Sequence, residues 1–135
     1  MEEAKNTNNS GNKVLVVEDD KFLRELFVKK LFNEGFDVKN SIDAQGAFQS
    51  IEESKPDIIL LDLILPGVDG FEILAKIKAD ENITDVPVLI LSNLGQQEDI
   101  DRAMSLGAHD FLVKANFTLD EIVLRVKEIL KGSGV

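Results

Sequence analysis

Four clusters of side chains in this sequence can do chemistry: Glu18-Asp19-Asp20, Asp62, Ser92-Asn93 and Lys114. Asp62 closes the apolar run Ile58-Ile59-Leu60-Leu61 and is followed by Leu63-Ile64-Leu65-Pro66-Gly67. A carboxylate at the tip of a buried strand is costly unless something holds it. Pro66 and Gly67 stop the strand from continuing. Carboxylates gathered in one place repel, and their ionised forms need counter-charge. A hard dication with oxygen ligands meets that need. Mg²⁺ fits best, because it is commonly held by one or two carboxylates plus waters and phosphate oxygens. With no cysteine and His109 as the sole histidine, a zinc site is disfavoured. An aspartate can also attack phosphorus to give an aspartyl-phosphate. Phosphoryl transfer then asks mainly for positioning and charge neutralisation.

The elements that must position these groups follow from hydrophobic patterning. From Lys13 onward a short apolar run, a turn and a helical pattern recur five times. Val14-Leu15-Val16-Val17 reads as the first strand, followed by a helix with Phe22, Leu23, Leu26, Phe27 and Leu31 on one face. The second strand, near 36–39, has the weakest pattern. Its helix starts at Asp43, a good N-cap, and buries Ala44, Ala47, Phe48 and Ile51. Ile58–Leu61 is the third strand. Its helix opens with Asp69-Gly70-Phe71-Glu72, a capping-box layout. The fourth strand is Val88-Leu89-Ile90-Leu91, with a helix over 97–106 that stops at Gly107. Phe111-Leu112-Val113 is the fifth strand. The last helix opens with Thr118-Leu119-Asp120-Glu121, a second capping box, and buries Leu119, Ile122, Val123, Val126, Ile129 and Leu130. Residues 1–12 are polar and aperiodic and read as a disordered arm. One domain over 13–131 and a flexible tail over 132–135 complete the organisation.

Continuous apolar strands alternating with amphipathic helices predict a doubly wound α/β fold with a five-stranded parallel sheet. The expected order is 2-1-3-4-5, flavodoxin-like, (βα)5. Function in such sheets sits beyond the carboxyl ends of the strands, at the switch point between strands 1 and 3. Those ends carry Glu18-Asp19-Asp20, Asp62, Ser92-Asn93 and Lys114. Lys114 brings one positive charge, too little for the acids, so a metal supplies the rest. Asp62 lies between the acids of strand 1 and the groups of strands 4 and 5, as a phosphoryl acceptor would. Lys114 and a metal could neutralise the phosphoryl oxygens, and the Ser92 hydroxyl could bond one of them.

Composition bounds the partners. At 135 residues, 44% apolar and 30% charged, the chain suits one soluble domain. A net charge of −10 argues against direct binding of nucleic acid or anionic membrane. Absence of cysteine excludes disulfides and thiol catalysis. No apolar run is long enough to span a bilayer, and the polar start shows no signal peptide. The expectation is a cytoplasmic protein.

These motifs resemble the receiver domain of two-component response regulators. The resemblance covers about 13–130. It rests on Val-Val-Glu18-Asp19-Asp20, on Leu-Leu-Asp62-Leu-Ile-Leu-Pro66-Gly67-Val-Asp-Gly70, on Leu-Ser92, on Ser105-Leu106-Gly107-Ala108 and on Phe111-Leu-Val-Lys114. It implies that Asp62 accepts a phosphoryl group from a sensor histidine kinase or phosphotransfer protein, and that Glu18 and Asp19 hold Mg²⁺. Asp62 itself and the main-chain carbonyl of Ile64 complete the metal's protein ligands. Ser92 is the implied switch hydroxyl, Lys114 its charged partner and Phe111 the aromatic switch. The implied output surface is the 97–106 helix, the fifth strand and the last helix, facing an unknown downstream protein. With no effector domain in the sequence, the chain resembles single-domain regulators of the chemotaxis type. It is not expected to be an enzyme with a separate substrate. The expected state is a monomer, with a phosphorylation-dependent dimer left open.

Two positions depart from that family. Ala115 follows Lys114 where a cis proline is usual. A cis bond before Ala costs about 3–4 kcal/mol against about 0.5–1 before Pro, so the loop is either trans and rebuilt or strained. Asn93 stands where a small residue is usual, and either narrows access to Asp62 or hydrogen-bonds the phosphoryl group. Ile64 and Leu94, at positions that influence hydrolysis in the family, are apolar and cannot orient a water, which predicts a long-lived phospho-form. Plainer readings exist. Asp20 alone is a helix cap, and His109 a surface residue. Three rivals remain on sequence grounds: a pseudo-receiver that is never phosphorylated, a flavodoxin-like cofactor binder, and a haloacid-dehalogenase-type phosphatase. The phosphatase needs a second Asp where Ile64 stands. The cofactor binder needs a phosphate loop where Glu18-Asp19-Asp20 stands.

Overall fold

Strand residues that alternate sides, all of them apolar, require cover on both faces. The computed structural model, which describes residues 12–132, supplies that cover. Its elements are β1 (Lys13–Val17), α1 (Lys21–Asn33), β2 (Asp37–Ser41), α2 (Ala44–Glu53), β3 (Ile58–Leu61), β4 (Ile64–Leu65), β5 (Val68–Asp69), α3 (Gly70–Ala79), β6 (Val88–Ser92), α4 (Gln97–Ser105), β7 (Asp110–Val113) and α5 (Leu119–Gly132). The parallel sheet has the order β2-β1-β3-β6-β7, the expected 2-1-3-4-5 once the small β4–β5 pair is set aside. Leu15, Val17, Ile59, Leu61, Val88 and Ile90 pack on one face with α2, α3 and α4. Val14, Val16, Ile58, Leu60, Leu89 and Leu91 pack on the other with α1 and α5. The residues expected in the N-terminal arm lie outside the described residues, except Asn12, whose carbonyl accepts the Asp37 N–H (2.8 Å). The C-terminal tail over 133–135 also lies outside them, and Gly132 ends α5.

Local signals set most boundaries. Asp20, Asp43 and Asp69 each cap a helix by accepting a backbone N–H two or three residues on. Thr118 and Glu121 bond each other's backbone N–H groups (3.1 and 2.8 Å), a complete capping box. Gly107, at φ +107°, ends α4 with its own N–H on the Met104 carbonyl and the Ala108 N–H on the Ala103 carbonyl. Among the described residues no helix is long and apolar enough to cross a membrane.

Three expectations shift. β2 starts one residue late, at Asp37, because Phe36 is a core residue packed with Phe27 and Leu31 at the end of α1. As an edge strand β2 needs no apolar run, which is why its pattern was weak. Phe22 and Leu26 were expected in the buried face of α1 but are 73% and 38% exposed. Successive helical residues turn by about 100°, so Leu23, Phe27 and Leu31 face the sheet while Phe22 and Leu26 fall to the side. Finally, Ile64–Leu65 and Val68–Asp69 form a two-stranded antiparallel pair around the Pro66-Gly67 turn. The start of α3 lies hard against this segment: a Cβ on Gly70 would sit 2.4 Å from the Leu63 Cα. Only glycine allows that approach, and the Gly70 N–H bonds the Leu63 carbonyl (3.0 Å).

Candidate functional site

Parallel pairing of β1 with β3 puts Val17 opposite Leu61, so Glu18 and Asp62 emerge side by side. Their backbones are tied into the sheet: the Asp62 N–H bonds the Val17 carbonyl (3.1 Å) and the Glu18 N–H the Ser41 carbonyl (3.0 Å). Both carboxylates are nearly buried, with Glu18 3% and Asp62 6% exposed. Asp62 Oδ1 accepts the Ile64 N–H (3.1 Å), which fixes the carboxylate on the turn that follows it. Glu18 Oε2 accepts the Asp20 N–H (3.2 Å), while the Asp20 side chain caps α1 through the Leu23 N–H (3.0 Å). From β7, Lys114 reaches across and donates to Glu18 Oε1 (2.6 Å) and Asp62 Oδ2 (3.0 Å). Carboxylate oxygens of Glu18, Asp19 and Asp62 lie within 4.8 Å of one another. Together with Asp20, Ile64, Asn93 and Lys114 they line a cup of about 250 Å³. Larger clefts flank the β2 edge, but the residues lining them do not converge on a nucleophile or an acidic cluster.

Four carboxylates against one ammonium leave the cup negative. Burial raises the Glu18 carboxyl above its ordinary value. The hydrogen bond from Lys114 opposes that shift and the charge of Asp62 adds to it. For Lys114, burial works to lower the value, but its bonds to Glu18 and Asp62 outweigh it and the net shift is upward. Lys114 is therefore the resident counter-ion and stays charged. The oxygen donors of Glu18, Asp19 and Asp62 could hold a metal ion, and the donor set fits one that prefers carboxylate over nitrogen or sulfur.

Residues 14–127 match the family described as response regulator receiver domain. The chain belongs to that family. It is 35% identical over 119 residues to the DNA-binding dual master transcriptional regulator RpaA of Synechocystis, covering 88% of this chain and 49% of that protein. It is 33% identical over 124 residues to the phosphate regulon transcriptional regulatory protein PhoB of Pseudomonas aeruginosa, covering 92% of this chain and 54% of that one. The chain thus spans about half the length of these curated relatives. Among solved structures, the Francisella response regulator 1452 receiver domain superposes with a TM-score of 0.82 at 32% identity, covering 90% of this chain and 98% of that one.

The receiver domain brings Glu18, Asp19, Asp62 and Lys114 together as the strand ends predicted. Ile64 lines the same cup with its side chain 54% exposed. Ser92 is nearby in the sheet but fully buried, and its Oγ accepts the Leu94 N–H (3.1 Å) rather than lining the cup. Leu94 is partly buried against the core. Phe111 is half-buried and packs against the cluster under α2, α3 and α4. The Lys114–Ala115 bond is trans, since the described residues contain no cis peptide, and Lys114–Asn116 forms a 3₁₀ turn. The rebuilt loop still delivers Lys114 to both acids. Asp20, a member of the acidic cluster whose plainer reading is a helix cap, does both: it caps α1 and lines the cup. Glu18, not Asp62, makes the shorter bond to Lys114, a difference that strand-end position does not reveal.

Proposed function

We propose that Asp62 accepts a phosphoryl group from a phosphohistidine on a sensor histidine kinase or phosphotransfer protein. The observation that carries this reading is the Asp62 carboxylate itself, nearly buried, oriented by the Ile64 N–H and bonded by Lys114 beside two further acids. Glu18, Asp19 and Asp62, with the Ile64 main-chain carbonyl, would hold Mg²⁺, which when bound supplies positive charge for the phosphoryl oxygens. In the transfer, an Asp62 oxygen forms the new P–O bond as the P–N bond breaks and its electron pair stays on the imidazole. Lys114 stands 3.0 Å from that carboxylate, placed to neutralise a phosphoryl oxygen. The domain modifies its own aspartate and turns over no separate substrate.

Ser92 then turns away from the Leu94 N–H, which it accepts now, and donates its O–H to a phosphoryl oxygen, losing about one hydrogen bond, roughly 1 kcal/mol, in the move. Phe111 follows inward, and the α4–β7–α5 face carries the signal to a downstream protein or domain. Exposed Phe22 and Leu26 on α1, close in sequence to the cup residue Asp20, offer apolar contact to the donor protein. The setting is the cytoplasm. The exposed, apolar Ile64 gives no group to orient an attacking water, and the phospho-form is long-lived.

The test is intact mass after incubation with acetyl phosphate and Mg²⁺. One hydroxylamine-labile phosphoryl adduct, absent in Asp62→Asn, supports the acceptor. No adduct from acetyl phosphate or a cognate kinase would leave an unphosphorylated interaction module as the better reading. Repeated turnover of phosphate esters would indicate a phosphatase.

A further inference from the structure

The cup has a shortage of free donors for an anion. A phosphoryl group brings about two negative charges into a space lined by four carboxylates and one ammonium. Lys114 directs two of its three N–H donors to Glu18 and Asp62, which leaves one for an incoming anion. The Ile64 N–H is used on Asp62 Oδ1. Ser92 is fully buried and does not line the cup, and its Oγ accepts the Leu94 N–H. The remaining neutral polar side chain lining the cup is Asn93. Its carboxamide carries two donors and has no partner among the described residues. An amide neither repels an incoming anion nor competes with Lys114 for the acids, and its hydrogen bond to a charged oxygen is a strong one.

We propose that the Asn93 side-chain amide donates a hydrogen bond to the phosphoryl group as it reaches Asp62. Asn93 is then a substrate-contacting residue that favours phosphorylation, not a plug that narrows the mouth. This inference rests on the acceptor reading of Asp62. Asn93 is exposed at the end of β6, so its replacement leaves the core intact.

The experiment compares wild type with Asn93→Ala in labelling by acetyl phosphate and Mg²⁺, alongside Mg²⁺ affinity by calorimetry. The expected result is a labelling rate about tenfold lower in Asn93→Ala, the weight of one charge-assisted hydrogen bond, with Mg²⁺ affinity unchanged. A second readout is the Asn93 side-chain NH₂ pair in ¹H–¹⁵N spectra, assigned by its loss in Asn93→Ala. It should shift with beryllofluoride plus Mg²⁺ and stay in place with Mg²⁺ alone. Equal or faster labelling of Asn93→Ala, or an unmoved NH₂ pair, overturns the inference while the acceptor reading stands. A wild type that takes no label overturns both, and is seen without any variant.

Discussion

At the ends of β1 and β3 the carboxyl edge of the sheet is pinned, whereas at the end of β6 it is loose. Glu18 is held by its backbone bond to Ser41, by the Asp20 N–H and by Lys114. Asp62 is held by Val17, Ile64 and Lys114. The helix after each of these strands starts under an aspartate cap. After β6, in contrast, Gln96 precedes α4 without any side-chain cap bond. The far end of α4 is anchored, with Arg102 over the Phe71 ring (4.1 Å), so the slack lies at its start, next to Ser92. On the proposed function, the groups that would meet a phosphoryl group are built in advance, which lowers the cost of ordering them during transfer. The segment that would change after the proposed transfer is the one whose helix starts without a side-chain cap.

The largest test of the pinned half is Lys114→Met. It leaves the nearly buried Glu18 and Asp62 without their counter-charge, and breaking a buried pair costs about 3–5 kcal/mol. Urea unfolding should show that loss at neutral pH, and Mg²⁺ should restore much of it by binding the freed acids more tightly. The raised Lys114 value means its contribution is complete below the ordinary 10.5 and is lost as pH rises through the higher folded value. Wild type should therefore lose stability in that alkaline range and Lys114→Met should lose less. Equal alkaline profiles would break the assignment of Lys114 as the pin.

Tightening the loose half is the next test. Gln96→Asp should cap α4 and add about 1 kcal/mol of stability, read as a higher urea midpoint. The same change should shrink the spectral shifts at 93–97 on adding beryllofluoride and Mg²⁺, while those around Asp62 persist. Shifts of unchanged size in 93–97 would mean that the start of α4 is not where the response resides. The smallest effect belongs to Ser41→Ala. Ser41 Oγ is the buried side-chain oxygen without a partner among the described residues, beside the pinned half through its carbonyl bond to Glu18. Removing an unpaired hydroxyl should leave stability within about 0.5 kcal/mol of wild type or raise it. A larger loss would reveal a bond made by that hydroxyl.

The pinned half was also the legible half. β3 is four apolar residues closed by an acid and a Pro-Gly turn, and parallel pairing leaves little choice about what its tip faces. The same logic located Glu18, Asp19, Ser92 and Lys114 at strand ends and recovered the sheet order. What stayed hidden depends on side-chain direction or on weak periodicity. The edge strand β2 has polar residues because water covers its flank, so its boundary was blurred. Phe22 and Leu26 sit at helical spacing with buried residues yet face outward, since periodicity does not say how wide the covered stripe is. The two-residue β4–β5 pair has no pattern of its own. That Ser92 Oγ engages Leu94 while Asn93 lines the cup is a matter of rotamers after β6, where composition gives no signal.

On the proposed function, this cup delivers a phosphoryl group to Asp62 and to no other acid. Borohydride reduction of the labelled protein converts an aspartyl-phosphate to the corresponding alcohol, which peptide mapping then locates. The reduced residue should stand at position 62 alone. Reduction at Glu18, Asp19 or Asp20, or at no position despite incorporation of label, would contradict it.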